Sequence, residues 1–310
     1  RKAGTNSYYM TANASVTANF TKWLNFRTSY SYQGNHQRYK YHTPPYIADI
    51  KSTTEYPYHS ESSSYWQEQV IDNILTFNNT YGEHSINAMA GSSITLQDYN
   101  WNSVAVEGKT IVYEVKDGQL VTSEKPAGFL DPNFGTINAG NGGTYTGEGS
   151  LYEYRRASFF GRLNYSYAVK YMLQATFRRD GSSKFGSDSR WGFFPSVSVG
   201  WNIMREPFME KFVDYVPEFK IRSSYSTIGN QNVKSYLFNP SMSGNKAVWI
   251  VDGNRPTTLG TPGLVSDNFT WETVETYNLG FDISLLRNRL QASVDIYRRN
   301  TKDMLTDAME

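Results

Sequence analysis

The chain has 310 residues, of which 39% are apolar, 15% aromatic and 19% charged. This composition excludes a disordered chain, because it can bury a large apolar surface. The net charge is +1 and basic residues form no tract, so a nucleic acid is not expected as a partner. The absence of cysteine excludes disulfides, thiolate zinc sites and a cysteine nucleophile. No window of about 18 apolar residues predicts a membrane-spanning helix. Since Arg1 follows no signal peptide, we expect an internal piece of a longer protein.

Residues 8–20 alternate between apolar and polar side chains. Their even positions are apolar, and the odd positions of residues 11–19 are polar. The alternation resumes at Leu24 after a tight turn, which predicts a β-hairpin. A helix has a period of 3.6 residues and does not produce this pattern.

The same alternation recurs along the chain and predicts ten strands. A short helical connection is expected after Glu206-Pro207, because Phe208 and Phe212 follow at helical spacing. Pro195 lies within a predicted strand, so we expect a bulge, a bend or weak pairing there. The ten strands are residues 8–20, 24–33, 70–80, 84–97, 155–166, 171–180, 191–203, 217–228, 272–285 and 289–298.

The lengths of these strands and of their connections favour a membrane barrel. A strand of about 13 residues tilted by about 45° spans the roughly 30 Å of bilayer hydrocarbon, whereas strands of soluble sandwiches usually have about 5–6 residues. Short turns alternate with long connections, as in outer-membrane barrels whose long loops face outward. We therefore expect an all-β, antiparallel transmembrane β-barrel, with a soluble β-sandwich or β-helix as the alternative. The long loops are expected at residues 34–65, 98–154, 181–190 and 229–271.

In a membrane barrel the apolar face of each strand contacts lipid and the polar face lines the lumen. The side chains expected to face lipid are Met10, Ala12, Ala14, Val16, Phe26, Ile86, Ala88, Leu173, Phe177, Val197, Val199, Ile221, Leu279, Phe281, Val294 and Ile296. The charged side chains expected to face the lumen, which suggest a mildly basic inner wall, are Arg27, Arg162, Arg178, Lys220, Arg222, Asp72, Asp282 and Asp295.

Two segments carry a family resemblance. Residues 178–186 read Arg-Arg-Asp-Gly-Ser-Ser-Lys-Phe-Gly, and residues 190–201 read Arg-Trp-Gly-Phe-Phe-Pro-Ser-Val-Ser-Val-Gly-Trp. With these segments the chain resembles the SusC/RagA class of TonB-dependent outer-membrane transporters of Bacteroidota. The resemblance covers essentially the whole chain apart from the long loops. It continues at residues 206–209, 220–225, 229–231, 271–273, 278–282 and 297–305, and more weakly at 81–91.

This resemblance implies a barrel of roughly 22 strands closed around a plug, with residues 1–310 forming part of the wall. The plug and the remaining strands are expected outside this chain. The resemblance further implies TonB-dependent uptake of an oligosaccharide or peptide across the bacterial outer membrane. A SusD-like surface lipoprotein and, through a segment outside this chain, the TonB complex are the implied partners. A passive porin-like channel and a surface or soluble β-rich carbohydrate-binding module are the alternative functions.

No residue pattern points to catalysis. The four histidines show no metal-ligand spacing, and the glycine-rich residues 135–149 lack the lysine and the helix of a phosphate loop. Asp282 and Asp295 are interpreted as polar wall residues rather than an acid/base pair. We expect no catalytic residue, no metal, no cofactor and no enzyme activity.

The motif residues also have structural explanations. Residues 181–183 are expected to form a turn, and the charges between Arg178 and Arg190 to lie at water-facing strand ends. Residues 229–231 are expected to mark the exit from a strand, with ligand binding as the alternative.

The long loops are rich in aromatic side chains, which offer contact area for a partner and flat faces for a ligand. We expect Tyr99, Trp101 and Trp249 to contact substrate or partner. The alternative is that these three side chains pack the loops against one another.

Overall fold

The computed structural model describes residues 2–47, 53–54, 56–117, 119–127, 129–131, 133–140, 142–233, 238–240, 242–247, 249, 251, 255–262 and 269–304. These residues are mainly β-structure. Among them, no helix has the length and apolar character that a membrane crossing requires. The strands are β1 (Lys2–Asn19), β2 (Leu24–Thr43), β3 (Tyr46–Ile47), β4 (Thr53–Thr54), β5 (Tyr58–Tyr81), β6 (His84–Glu107), β7 (Lys109–Lys116), β8 (Gln119–Pro126), β9 (Thr144–Tyr167), β10 (Tyr171–Ser182), β11 (Trp191–Asn202), β12 (Glu218–Asn230), β13 (Gly244–Lys246), β14 (Thr257–Leu259), β15 (Glu272–Leu285) and β16 (Leu290–Lys302).

Ten of these strands form one antiparallel sheet in the order β1-β2-β5-β6-β9-β10-β11-β12-β15-β16. The ten predicted strands are thereby confirmed, since each predicted range overlaps one strand of this sheet. Within the described residues, β1 and β16 are the two edge strands of this sheet and are not paired with each other. The other six strands form the small hairpins β3–β4, β7–β8 and β13–β14.

The predicted loops 34–65 and 98–154 were too long. Strand β2 continues to Thr43 and β5 begins at Tyr58, while β6 continues to Glu107 and β9 begins at Thr144. The alternation of apolar and polar residues stops in these extensions because both faces are polar. For example, Lys40 Nζ lies 3.1 Å from Glu61 Oε1 across β2 and β5. A pattern based on alternation alone therefore misses them.

The chain divides into two compact units, residues 1–13, 31–69 and 96–153 and residues 14–30, 70–95 and 154–310. The first unit contains the β7–β8 hairpin and a small apolar cluster of Val106, Phe129 and Ala139. The second unit contains β10 to β16 and a second cluster, which consists of Phe185, Phe194 and Trp271.

The register places the predicted lipid-facing residues of β10 to β16 on one side of the sheet. We call this side the outward face and the opposite side the inward face. One outward row of paired residues is Leu173, Val199, Ser223, Leu279 and Ile296. The neighbouring inward row is Gln174, Ser198, Ser224, Asn278 and Tyr297.

Two local features of β11 follow its sequence. Its pairing with β10 extends over residues 191–201, but its pairing with β12 begins only at Ser196. Pro195 has no N–H to donate, and the Thr227 hydroxyl instead donates to the Pro195 carbonyl at 2.7 Å. The predicted weak pairing at Pro195 is confirmed.

The predicted helical connection between β11 and β12 is also confirmed. It consists of the short 3-10 helices Ile203–Arg205 and Pro207–Phe212. Pro207 stands at the start of the second helix, where the missing N–H costs no intrahelical hydrogen bond. This connection lies at the same end of the strands as the short turns.

We predict that Val199→Arg impairs insertion of the barrel far more than Ser198→Arg. Val199 is 52% exposed on the outward face, where a cation at the middle of the bilayer costs about 2–4 kcal/mol. Ser198 is the inward-facing neighbour and serves as the matched control. The measurement is the fraction of heat-modifiable protein recovered from outer membranes. Equal recovery of the two variants would contradict the assignment of the faces.

Candidate functional site

The inward face of the second unit is a polar surface. A recess of about 500 Å³ lies on it, with hydroxyl and amide groups from β6 to β15 in its lining. Asn164 donates to Asn87 at 3.2 Å across this surface. Lys220 and Arg222 add cations to the lining of the recess.

Arg222 is the centre of an ionic network on this face. Its Nε and Nη2 donate to the two carboxylate oxygens of Asp282 at 2.6 and 3.0 Å. Nη2 also lies 3.3 Å from Asp295 Oδ2 on the next strand. The Ser293 hydroxyl donates to Asp282 at 2.7 Å. Bidentate pairing of this kind fixes the guanidinium in one orientation.

Gly280 creates the space for this network. It is paired with Arg222 on one side and with Asp295 on the other, so the guanidinium crosses directly over it. A Cβ at residue 280 would lie 2.6 Å from Asp295 Oδ1 and 2.8 Å from Arg222 Cζ. Only glycine allows the side chain of β12 to reach β16 across β15.

Ion pairs neutralise two of the cations expected on the inner wall. Arg222 is neutralised by two carboxylates, and Arg178 donates to Asp180 at 2.7 Å. Among the described residues, Arg27 and Arg162 have no carboxylate partner, and Arg27 contacts only the Ser15 hydroxyl at 3.5 Å. The wall is therefore less basic than a count of its cations suggests.

The segments that carry the family resemblance meet at the long-loop end of the second unit. Gln231 donates through Nε2 to the Tyr154 hydroxyl at 2.7 Å. Lys184 donates to the Gln231 carbonyl at 3.4 Å, and its ammonium lies 5.5 Å from the centre of the Tyr154 ring. Residues from β9, from the β10–β11 loop and from the end of β12 thus form one contact group.

An apolar cluster supports this group. Phe185 is fully buried against Trp271, whose ring centroid lies 5.0 Å away, and Trp271 donates through Nε1 to the Arg190 carbonyl at 3.0 Å. The ring of Phe194 lies over Gly192 and Gly229, where an added Cβ would collide with it. The glycines of the motif thus provide room for an aromatic ring.

These contacts correct one expectation and confirm another. Asp180 is buried rather than placed at a water-facing strand end, and Gly181 and Ser182 belong to strand β10, so the turn expected over residues 181–183 begins only at Ser183. Strand β12 ends at Asn230, as expected for the segment 229–231. Sequence reasoning missed that residues 178–186, 229–231 and 271–273 pack together, because no spacing within one chain specifies contacts between distant loops.

The predicted ligand residues Tyr99 and Trp101 lie in strand β6 rather than in a loop. Alternation along the strand puts them on the same face as Gln97, which donates to Glu68 at 3.4 Å and accepts a hydrogen bond from Tyr152 at 3.3 Å. In the first unit, two aromatic side chains thus share a face with an amide, a carboxylate and a phenol.

Trp249 lies in the second unit, between β13 and β14. Its side chain is 55% exposed. It is therefore accessible on the surface of its own unit.

Ten long antiparallel strands with an apolar outward face and a polar inward face define the wall of an outer-membrane β-barrel. The sequence model described as "TonB dependent receptor-like, beta-barrel" matches residues 2–310. The chain therefore belongs to the family of TonB-dependent receptor β-barrels, proteins of the bacterial outer membrane. This confirms the expected family, fold and location.

Relatives support the assignment. TonB-dependent receptor P3 of Formosa agariphila is 29% identical over 300 residues, which cover 95% of this chain and 27% of that protein. TonB-dependent receptor SusC of Bacteroides thetaiotaomicron is 36% identical over 150 residues, which cover 48% of this chain and 15% of SusC. The chain spans between 15% and 27% of the length of the curated relatives it matches.

A solved structure shares the fold. "Structure of the RagAB peptide transporter" superimposes with a TM-score of 0.81 at 20% identity, covering 99% of this chain and 31% of that chain. These matched proteins are named receptors or transporters and not enzymes.

We predict that Gly280→Ala destabilises the barrel by about 1–3 kcal/mol, because the new methyl group displaces the Arg222 guanidinium from its carboxylates. Gly200→Ala is the matched control. Gly200 is paired with Arg222 on the other side, and its added Cβ would have no neighbour closer than 3.4 Å. The measurement is the midpoint of unfolding in urea. Equal midpoints for the two variants would contradict the role of Gly280.

We predict a pH effect at Lys184, which lies in the loop after β10. Burial lowers the pKa of the Lys184 ammonium below its ordinary value of 10.5. A depressed lysine pKa destabilises the fold while the group is charged, so stability rises as the pH increases from the folded-state pKa towards 10.5. Lys184→Met should abolish this rise, whereas Lys22→Met at an exposed turn should retain it. Thermal unfolding of the three proteins between pH 7 and about 10 tests the prediction, and a rise that persists in Lys184→Met would contradict it.

Proposed function

We propose that this chain forms part of the wall of a nutrient importer. The importer takes up an oligosaccharide or a peptide through the outer membrane with energy from the TonB complex. The family and its outer-membrane transport role support this proposal. The substrate and the energy coupling belong to the complete protein. The matched relatives are several times longer than this chain.

The group of aromatic and polar side chains around Gln97 in the first unit is the basis of the proposal for the substrate. Tyr99 and Trp101 provide flat apolar surface, and the neighbouring Gln97, Glu68 and Tyr152 provide hydrogen-bonding groups. An aromatic ring can stack on a sugar or pack against a peptide side chain, and polar groups around it orient the ligand. The patch therefore suits a large polar nutrient of either class. The peptide alternative has support in the name of the RagAB structure.

We propose a SusD-like surface lipoprotein as the partner at the long-loop side. This partner is implied by the resemblance to SusC. Exposed aromatic side chains on the connecting segments offer contact area, among them Trp249 at 55% and Tyr113 at 64% exposure. Tyr and Trp are enriched in the cores of protein interfaces.

We also propose that further strands outside this chain close the barrel and that a plug occupies its interior. Unpaired backbone groups in lipid each cost several kcal/mol, and β1 and β16 each have one free edge in the described sheet. A passive channel without a plug is the second candidate. It would use the same polar inward face and would work without TonB.

Two variants of the complete transporter test these proposals. Trp101→Ala should reduce uptake of the nutrient with unchanged lipoprotein binding, because its side chain is on the inward face. Trp249→Ala should weaken co-purification of the lipoprotein, because its side chain is exposed in a connecting segment. Tyr81→Ala, at the short turn between β5 and β6 and thus away from the long-loop side, is the control for the loss of an exposed aromatic ring.

The measurements are growth on defined glycans or peptides, co-purification from outer membranes, and uptake in a strain without TonB. Unchanged growth of Trp101→Ala and unchanged co-purification of Trp249→Ala would reject the two residue assignments. Uptake that persists without TonB would favour the passive channel. These outcomes can be distinguished because each tests a different proposal with a different measurement.

A further inference from the structure

The connection between β11 and β12 exposes an aromatic surface that transport does not explain. Ile203 and Met204 at its start are buried, with 8% and 6% exposure. The following residues Phe208, Phe212 and Tyr215 are 63%, 53% and 70% exposed. Phe208 and Phe212 belong to the 3-10 helix Pro207–Phe212, and Tyr215 lies in the turn that follows it.

The segment is held at its beginning by the outward face of the sheet. The Glu206 carboxylate accepts hydrogen bonds from the Tyr171 hydroxyl at 2.6 Å and from Trp201 Nε1 at 3.0 Å, and Lys170 Nζ lies 3.1 Å away. Tyr171 and Trp201 are paired residues of the outward face. The hydrogen bond from Tyr171, followed by that from Lys170, lowers the pKa of Glu206, so the carboxylate stays ionised at neutral pH.

The segment is also held at its end. The backbone N–H of Leu286, in the turn between β15 and β16, donates to the Tyr215 carbonyl at 3.0 Å. The exposed rings of Phe208 and Phe212 therefore belong to a segment with two fixed ends, directly beside the short-turn end of the outward face.

An aromatic row runs along the outward face at this end of the second unit. Trp23 packs edge-on against Phe77 with ring centroids 5.4 Å apart, and Tyr167 stacks on Tyr171 at 6.4 Å. Trp201 is the last member of this row. Beyond it, the corresponding outward positions of β12, β15 and β16 contain neither Tyr nor Trp. Level with Trp201 they are Ile221, Phe281 and Val294, and nearer the short turns they are Phe219, Ile283, Ala292, Leu285 and Leu290.

We propose that residues 207–215 lie in the membrane interface of the periplasmic leaflet, with Phe208, Phe212 and Tyr215 inserted between the lipids. The segment adds aromatic rings at the end of the outward face where β12, β15 and β16 have neither Tyr nor Trp. Short turns of outer-membrane barrels face the periplasm, and aromatic girdles mark both interfaces. The segment also carries the charged side chains of Glu210, Lys211 and Asp214, which remain in the water of the interface.

The bilayer is favoured over a protein partner because the segment continues a lipid-contacting surface. The hydrogen bonds of Glu206 join it directly to two side chains of the outward face. The anchor would fix the height of β12, β15 and β16 relative to the bilayer at the end where these strands carry no outward Tyr or Trp.

Nitroxide labels on single cysteines test the proposal in the complete transporter, reconstituted in vesicles of phosphatidylethanolamine and phosphatidylglycerol. This chain contains no cysteine, so it adds no background labelling. Oxygen concentrates in the bilayer, whereas a nickel chelate stays in water. Labels at Phe208→Cys and Phe212→Cys should collide with oxygen several-fold more often, relative to the nickel chelate, than labels at Glu210→Cys and Asp214→Cys. Heat-modifiable migration verifies that each labelled protein is folded.

Two results would overturn the proposal. Equal nickel accessibility at all four positions would place the segment in water. Protection of the Phe208→Cys and Phe212→Cys labels from both reagents would show that protein covers the segment. A second measurement is independent of labelling: Phe208→Ser combined with Phe212→Ser should lower the thermal unfolding midpoint in vesicles more than in detergent. An equal decrease in both media would also contradict insertion between lipids.

Discussion

Pairing of the backbone in lipid is the constraint on which the rest of this structure depends. An N–H or C=O group without a hydrogen bond in hydrocarbon costs several kcal/mol, so each strand inside the sheet must pair along its length with two neighbours. Once the register is fixed, every second side chain faces lipid. The outward row from Leu173 to Ile296 and the inward row from Gln174 to Tyr297 show this arrangement in five successive strands. Polar side chains are therefore free to vary only on the inward face and beyond the bilayer.

Glycines in the second unit let a side chain extend over a neighbouring strand. Arg222 on β12 reaches Asp295 on β16 only because Gly280 leaves a gap on β15. Phe194 on β11 likewise lies over Gly229 on β12. Each glycine has no side chain at its position, so a longer side chain from another strand can pack there and hold adjacent strands together. Such lateral contacts supplement the backbone ladder, which at Pro195 is interrupted.

The fold was largely predictable from the sequence because alternation and pairing obey the same period of two residues. All ten strands of the sheet followed from this period, whereas the helical connection followed from Glu206-Pro207 and the helical spacing of Phe208 and Phe212. The extensions of β2, β5, β6 and β9 did not, since side chains such as Lys40 and Glu61 make both faces polar there. Alternation reports a difference between two environments, and it disappears where both sides of a strand face water.

The candidate site was less predictable than the fold. Tyr99 and Trp101 were identified as residue types that suit a ligand, but their position in β6 follows only from the length of that strand. The contact between Lys184, Gln231 and Tyr154 joins segments separated by up to 77 residues. No local pattern encodes such a contact.

The division between wall and extension also indicates where specificity can reside. The residues that carry the family resemblance, such as Phe185, Phe194 and Trp271, are buried in packing within the second unit. They define the architecture and offer little surface to a nutrient. The patch around Gln97 lies in the extended strands of the first unit, where neither lipid nor the alternating pattern dictates the side chains. For the proposed import function, we therefore assign discrimination between sugar and peptide to the residues around Gln97 and not to the motif residues, which pack inside the second unit.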